Sequence, residues 1–110
     1  MEGKIAMKSS EGEWQLTKIP GVTFKVLRAG AEKGAGTFLI RMSATCAYPA
    51  HVHPGGEEVW VVEGSMRVGG DRMSAGDYLY TPPGGAHDAE SEEGCTFLVS
   101  LPEPVRVIER

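Results

Sequence analysis

A chain of 110 residues is long enough for one small domain, and its core can form without disulfide bonds. Hydrophobic residues make up 41% of the chain and charged residues 24%, and the net charge is −4. There is no run of about 18 apolar residues that would span a membrane, and no basic stripe that would bind nucleic-acid phosphates. We therefore expect a single domain over residues 1–110 that binds neither nucleic acid nor a membrane.

Frequent turn residues predict short strands, because the 15 glycines and 7 prolines form a fifth of the chain. Residues 1–12 are polar, so we expect a loosely held N-terminus without a signal peptide. No amphipathic helix of ten residues or more is visible, and an all-β sandwich or barrel is predicted. Apolar runs and alternation predict eight or nine strands, within residues 14–17, 22–26, 37–45, 51–53, 57–63, 65–68, 71–74, 77–80 and 95–101.

The two cysteines are Cys46 and Cys95. The lack of a signal peptide predicts a cytoplasmic protein, in which both residues would be reduced thiols. We expect them to be buried as small hydrophobic side chains. A redox role would require an exposed thiol of low pKa, which the sequence does not decide.

The candidate chemistry lies in the three histidines of the chain and one glutamate. His51 and His53 are two residues apart on a predicted strand, so their side chains face the same way. Glu57 follows after a Pro-Gly-Gly turn, and His87 lies thirty residues further on. Imidazole nitrogens and carboxylate oxygens bind divalent metals. A single His-x-His also occurs on exposed strands, so spacing alone leaves a metal site and a set of solvated side chains equally open.

Two segments resemble the two sequence motifs of the cupin family. Residues 51–64 read H-x-H-x3-E-x6-G, and residues 76–87 read G-x5-P-x-G-x2-H, in the order that the family has them. Ser91 replaces the usual asparagine of the second motif, which is not a metal ligand. The likeness is closest to the cupin domain of ChrR-type anti-sigma factors, a group that also includes dioxygenase-like cupins. It extends over about residues 14–101.

This resemblance implies a double-stranded β-helix, also called a jelly-roll barrel, and frequently a homodimer. It also implies one divalent metal ion, either zinc, iron or manganese, with nickel also compatible. Strand parity agrees with Glu57 as the ligand, because Glu57 shares a face with Val59 whereas Glu58 faces the other way. The implied ligands are His51, His53, Glu57 and His87.

Two main functions follow, of which the first is a small metal-dependent enzyme that acts on a small oxygenated substrate, as dioxygenase-like cupins do. The alternative is a stand-alone metal-dependent sensor or binding module for a small molecule. The dozen residues before the first predicted strand are too few for the domain that captures a sigma factor in ChrR-type proteins. A metal site with a purely structural role is a third interpretation.

No catalytic residue is assigned from the sequence. Glu58 and Tyr48 are candidates for a general base. Three tyrosines are candidates for hydrogen-bond donors in the cavity, although aromatic residues at strand ends more often have packing roles. These tyrosines are Tyr48, Tyr78 and Tyr80.

Overall fold

The structure is a computed structural model that describes Gly3 and residues 5–108, and ten strands occur within them. None of these residues forms a helix, so the described chain contains no helix that could cross a membrane. The strands are β1 (Gln15–Leu16), β2 (Val22–Ala29), β3 (Gly36–Met42), β4 (Cys46–His53), β5 (Glu57–Val68), β6 (Asp71–Ser74), β7 (Tyr78–Thr81), β8 (Gly85–Ser91), β9 (Cys95–Leu101) and β10 (Arg106–Val107).

The strands form two antiparallel sheets that share β5. The first sheet has the order β1-β2-β3-β9-β5-β7, and the second has the order β10-β4-β8-β5-β6. β5 leaves the first sheet after Gly64 and pairs with β6 in the second. Inward-facing side chains of both sheets fill the space between them, and the all-β prediction is confirmed. Both cysteines and the methionines at positions 42, 66 and 73 lie in this core, as do Val22, Phe38, Val59, Val61, Val68, Ala89, Phe97, Val99 and Leu101.

Two strands were missed in the sequence. No strand is predicted over residues 85–91, which follow a Pro-Pro-Gly-Gly turn, yet β8 alternates between exposed and less exposed side chains with the period of two that a strand requires. β10 follows Pro102 and Pro104, and no strand is predicted beyond residue 101. Both prolines lie in the connection between β9 and β10, which pairs with β4, so neither proline removes a hydrogen-bond donor from the sheet.

Several strand limits also differ from the prediction. β3 ends at Met42 rather than at residue 45, because the chain turns there and Thr45 has a φ of 57°. β4 begins at Cys46 and is longer than the predicted segment 51–53. The two segments predicted on either side of Gly64 form one continuous strand.

Ser9 and Trp14, which precede β1, contact side chains on the outer face of β2 and β3. The Lys25 Nζ donates a hydrogen bond to the Ser9 carbonyl oxygen at 3.1 Å. Two cations lie over the Trp14 ring, with the Lys25 Nζ 5.2 Å and the Arg41 guanidinium carbon 3.9 Å from its centroid. Residues 1, 2 and 4 lie outside the described residues, and the loosely held N-terminus stays a prediction.

Gly64 is the residue at which β5 passes between the sheets, and we expect its replacement to destabilise the fold. Its φ is +76°, and an added Cβ would overlap the carbonyl oxygen of Gly94. Gly76 has a similar φ of +93°, but no atom lies within 4 Å of an added Cβ there. Gly64→Ala should therefore lower the free energy of unfolding by about 3 kcal/mol or more, and Gly76→Ala by about 1–2 kcal/mol. Urea unfolding measures the free energy of unfolding of both variants. Equal losses of stability would contradict the crowding at Gly64.

Candidate metal centre

Strands β4 and β8 bring the three histidines together. They pair antiparallel, so that the Cα of His51 lies directly opposite that of His87. His53 faces the same interior because it follows His51 by two residues, and both side chains are buried. The ring centroids of the three pairs lie 4.6 to 4.9 Å apart. A pairing between distant segments thus assembles a histidine cluster inside the barrel.

Glu57 is the first residue of β5, and it points at this cluster. Its Oε1 lies 3.3 Å from the Nε2 of His53 and 3.5 Å from the Nε2 of His87. The two Nε2 atoms are 3.1 Å apart. Glu57 is buried, whereas Glu58 is exposed on the outer face, as strand parity predicted.

A β-bulge in β4 orients His51. Tyr48 pairs with Ala89 and His51 with His87, so three residue steps on β4 oppose two on β8. Pro49 lies in this bulge, and the His51 Nδ1–H donates a hydrogen bond to its carbonyl oxygen at 2.8 Å. With its hydrogen on Nδ1, the imidazole keeps a free lone pair on Nε2 for a metal ion.

The donor set fits a divalent cation. The three histidines offer ligand atoms that all lie within 4.8 Å of one another. Two ligands at right angles around an ion with bonds of about 2.1 Å are separated by about 3.0 Å. The spacings of 3.1 to 3.5 Å among Glu57, His53 and His87 are close to this value. The Glu57 Oε1 is buried and has no hydrogen-bond partner among the described residues, and a bound cation would satisfy it.

An apolar cavity of about 100 Å³ adjoins the cluster. Apart from the four candidate ligands and Tyr48, every side chain of its wall is hydrophobic. Val105 belongs to this wall because the chain after β9 crosses over to β4. Neither Val105 as a wall residue nor β10 was predicted from the sequence. The hydrophobic wall consists of Ile40, Met42, Val59, Met66, Val68, Ala89, Phe97, Val99, Leu101 and Val105.

Residues 2–103 match the family model described as the ChrR cupin-like domain. The chain belongs to this cupin family. The barrel is therefore the double-stranded β-helix that the two motifs predicted, and the resemblance to ChrR-type cupins is confirmed.

Known proteins similar to this cupin have different functions. The acetylacetone-cleaving enzyme of Acinetobacter johnsonii is 27% identical over 78 residues, which cover 71% of this chain and 51% of that enzyme. The chain thus spans about half the length of this curated relative. A candidate acetylacetone dioxygenase from Methylibium petroleiphilum PM1 superposes with a TM-score of 0.80 at 24% identity, covering 99% of this chain and 85% of that one.

The third similar protein comes from the crystal structure of Rhodobacter sphaeroides SigE in complex with the anti-sigma ChrR. One chain of that complex superposes with a TM-score of 0.70 at 27% identity, covering 90% of this chain and 50% of its own length. These neighbours share the fold, and a shared fold does not assign an activity.

Burial favours the neutral form of two imidazoles in this cupin, those of His51 and His53. It lowers the pKa of His53 to about 4, although the Glu57 carboxylate acts in the opposite direction. Burial also lowers the pKa of His51, against the effect of the Pro49 carbonyl. Both rings are therefore neutral at pH 7, and a neutral imidazole is the form that binds a metal.

Only one of the three candidate tyrosines lies in the cavity wall. Tyr48 is half-buried there, and burial and the Glu57 carboxylate raise the pKa of its hydroxyl. Tyr78 and Tyr80 are each 57% exposed on the outer face, where Tyr78 donates a hydrogen bond of 2.7 Å to Glu58. Neither exposed tyrosine nor Glu58 can reach a molecule in the cavity.

Proposed function

We propose that this cupin is a metal-dependent, dioxygenase-like enzyme that acts on a small oxygenated substrate. The observation that carries the proposal is the buried group of three imidazoles and one otherwise unpartnered carboxylate oxygen beside an apolar cavity. The proposed ligands of one iron, manganese, zinc or nickel ion are His51, His53, Glu57 and His87. The likeness to the acetylacetone-cleaving enzyme supports a carbonyl compound as substrate.

The residues of the chain have separable tasks in this proposal. Iron or manganese bound at the site would supply oxygen activation, and zinc would supply only Lewis acidity. The histidines and Glu57 act as ligands rather than as acids or bases. The hydrophobic wall excludes water, and it contains no cationic side chain that would pair with an anionic group remote from the metal.

A metal-dependent small-molecule sensor is a second candidate, favoured by the 27% identity to a chain of the SigE–ChrR complex. A sensor has to present a surface to a partner. Trp60, Tyr78 and Tyr80 are 49%, 57% and 57% exposed on the outer face of the first sheet and offer such a surface. The same exposed surface is also available to a homodimer, which the family resemblance implies.

The first experiment measures the metal content of protein purified without a metal-binding tag. We expect about one equivalent of metal per chain in the parent and a loss of most of it in His51→Ala, because each ligand contributes strongly to affinity. Val52→Ala is the matched control on the same strand. Oxygen uptake by the iron-loaded parent with acetylacetone then separates the enzyme from the sensor. A parent that contains no metal and takes up none on reconstitution would refute the metal site.

A further inference from the structure

Tyr48 has a special position in the cavity wall. Ten of the fifteen wall residues are hydrophobic, and four are the candidate metal ligands. Tyr48 is the remaining one, so it is the only residue of this wall with a polar side chain that is not a candidate metal ligand. A polar group placed in an apolar wall requires a partner, because leaving it unpaired is costly.

The bulge in β4 aims this side chain into the cavity. On a regular strand, Tyr48 and His51 are three residues apart and would face opposite sides. The extra residue of the bulge restores the same facing, so both point inward. The Tyr48 ring packs edge-on against the His51 ring, with centroids 4.8 Å apart and an interplanar angle of 80°. This contact fixes the ring beside the candidate metal ligand.

The Tyr48 hydroxyl is unpartnered in the part of the chain that the structure describes. Among the described residues, no hydrogen bond involves the Tyr48 hydroxyl, whereas that of Tyr78 donates to Glu58 on the outer face. A tyrosine with an apolar ring environment normally finds a partner for its hydroxyl. Since the nearby wall is apolar, a molecule in the cavity that has an oxygen acceptor would supply this partner in place of water.

We propose that the Tyr48 hydroxyl donates a hydrogen bond to an oxygen atom of the substrate and thereby selects molecules with an oxygen acceptor. This inference rests on the proposed function, because it places the substrate in the cavity beside the metal ligands. It assigns Tyr48 to substrate binding rather than to proton abstraction. The phenol keeps its proton and fixes one oxygen of the bound molecule.

The test compares two probes by calorimetry under nitrogen, on Co²⁺-loaded protein whose metal content has already been measured. Acetylacetone offers oxygen acceptors, whereas imidazole binds a metal through nitrogen and has no second acceptor. Tyr48→Phe should bind acetylacetone about tenfold more weakly and imidazole as the parent does, because only one hydrogen bond is lost. Tyr80→Phe, on the outer face, is the matched control and should behave as the parent.

Other outcomes would overturn the inference. Unchanged acetylacetone affinity in Tyr48→Phe would show that the hydroxyl does not contact the substrate. Equal losses of affinity for acetylacetone and for imidazole would show that the Tyr48 hydroxyl only shapes the cavity. A loss of metal or of the folded circular dichroism spectrum would give the hydroxyl a structural task. Because all proteins are compared after metal loading, each of these failures leaves the proposed metal site intact.

Discussion

Replacing Glu57 with glutamine is expected to weaken divalent metal binding by about 100-fold, because it removes the only charged ligand of the site. The adjacent substitution Glu58→Gln should leave the affinity unchanged. The two residues have the same chemistry, but Glu57 is buried with its Oε1 near two imidazoles and Glu58 is exposed on the opposite face. Competition with a coloured chelator measures the two affinities on the same scale.

The stability of the metal-free protein provides an independent check of the same variant. Without metal, the Glu57 carboxylate is a buried charge with an unpartnered oxygen, and the uncharged amide avoids this cost. Glu57→Gln should therefore unfold at the same temperature as the metal-free parent or higher, yet gain less stability when metal is added. Equal metal affinity in Glu57→Gln and Glu58→Gln would instead assign binding to the three histidines alone.

The local part of the site could be predicted from the sequence because it depends only on the period of a strand. The shared facing of His51 and His53 follows from their spacing. The preference for Glu57 over Glu58 follows from the alternation along β5, where Val59 and Val61 are also buried. These inferences needed no knowledge of which strands pair.

The rest of the site depends on pairing between distant strands. His87 lies opposite His51 because β4 pairs with β8, and only the family resemblance pointed to this. β8 alternates in the burial of its side chains, but its residues Gly-Ala-His-Asp-Ala-Glu-Ser do not alternate between apolar and polar types, so the sequence did not reveal this strand. The bulge that turns Tyr48 inward is a property of two strands in register, and neither strand shows it alone. Val105 reaches the cavity only because the chain after β9 returns to β4.

The metal-free protein is expected to lose stability as the pH falls from about 6.5 towards 4. The pKa of His53 is about 4 in the folded protein and has its ordinary value of 6.5 in the unfolded chain. Between these values the unfolded chain binds a proton that folded His53 does not, so the free energy of unfolding decreases as the pH falls. The lowered pKa of His51 acts in the same direction. His53 has 0% exposure, and its titration alone should lower the free energy of unfolding by on the order of 3 kcal/mol between pH 7 and pH 4.

Urea unfolding of the parent and of His53→Gln at several pH values from about 4.5 to 7.5 measures this contribution, because carboxylates remote from His53 that titrate in the same range affect both proteins equally. Glutamine binds no proton, so the stability curve of the variant should be flatter and approach that of the parent at low pH. Parallel curves would mean that His53 titrates alike in the folded and unfolded chain. Added Zn²⁺ should steepen the parent's curve, since the ion requires neutral imidazoles and dissociates as they are protonated.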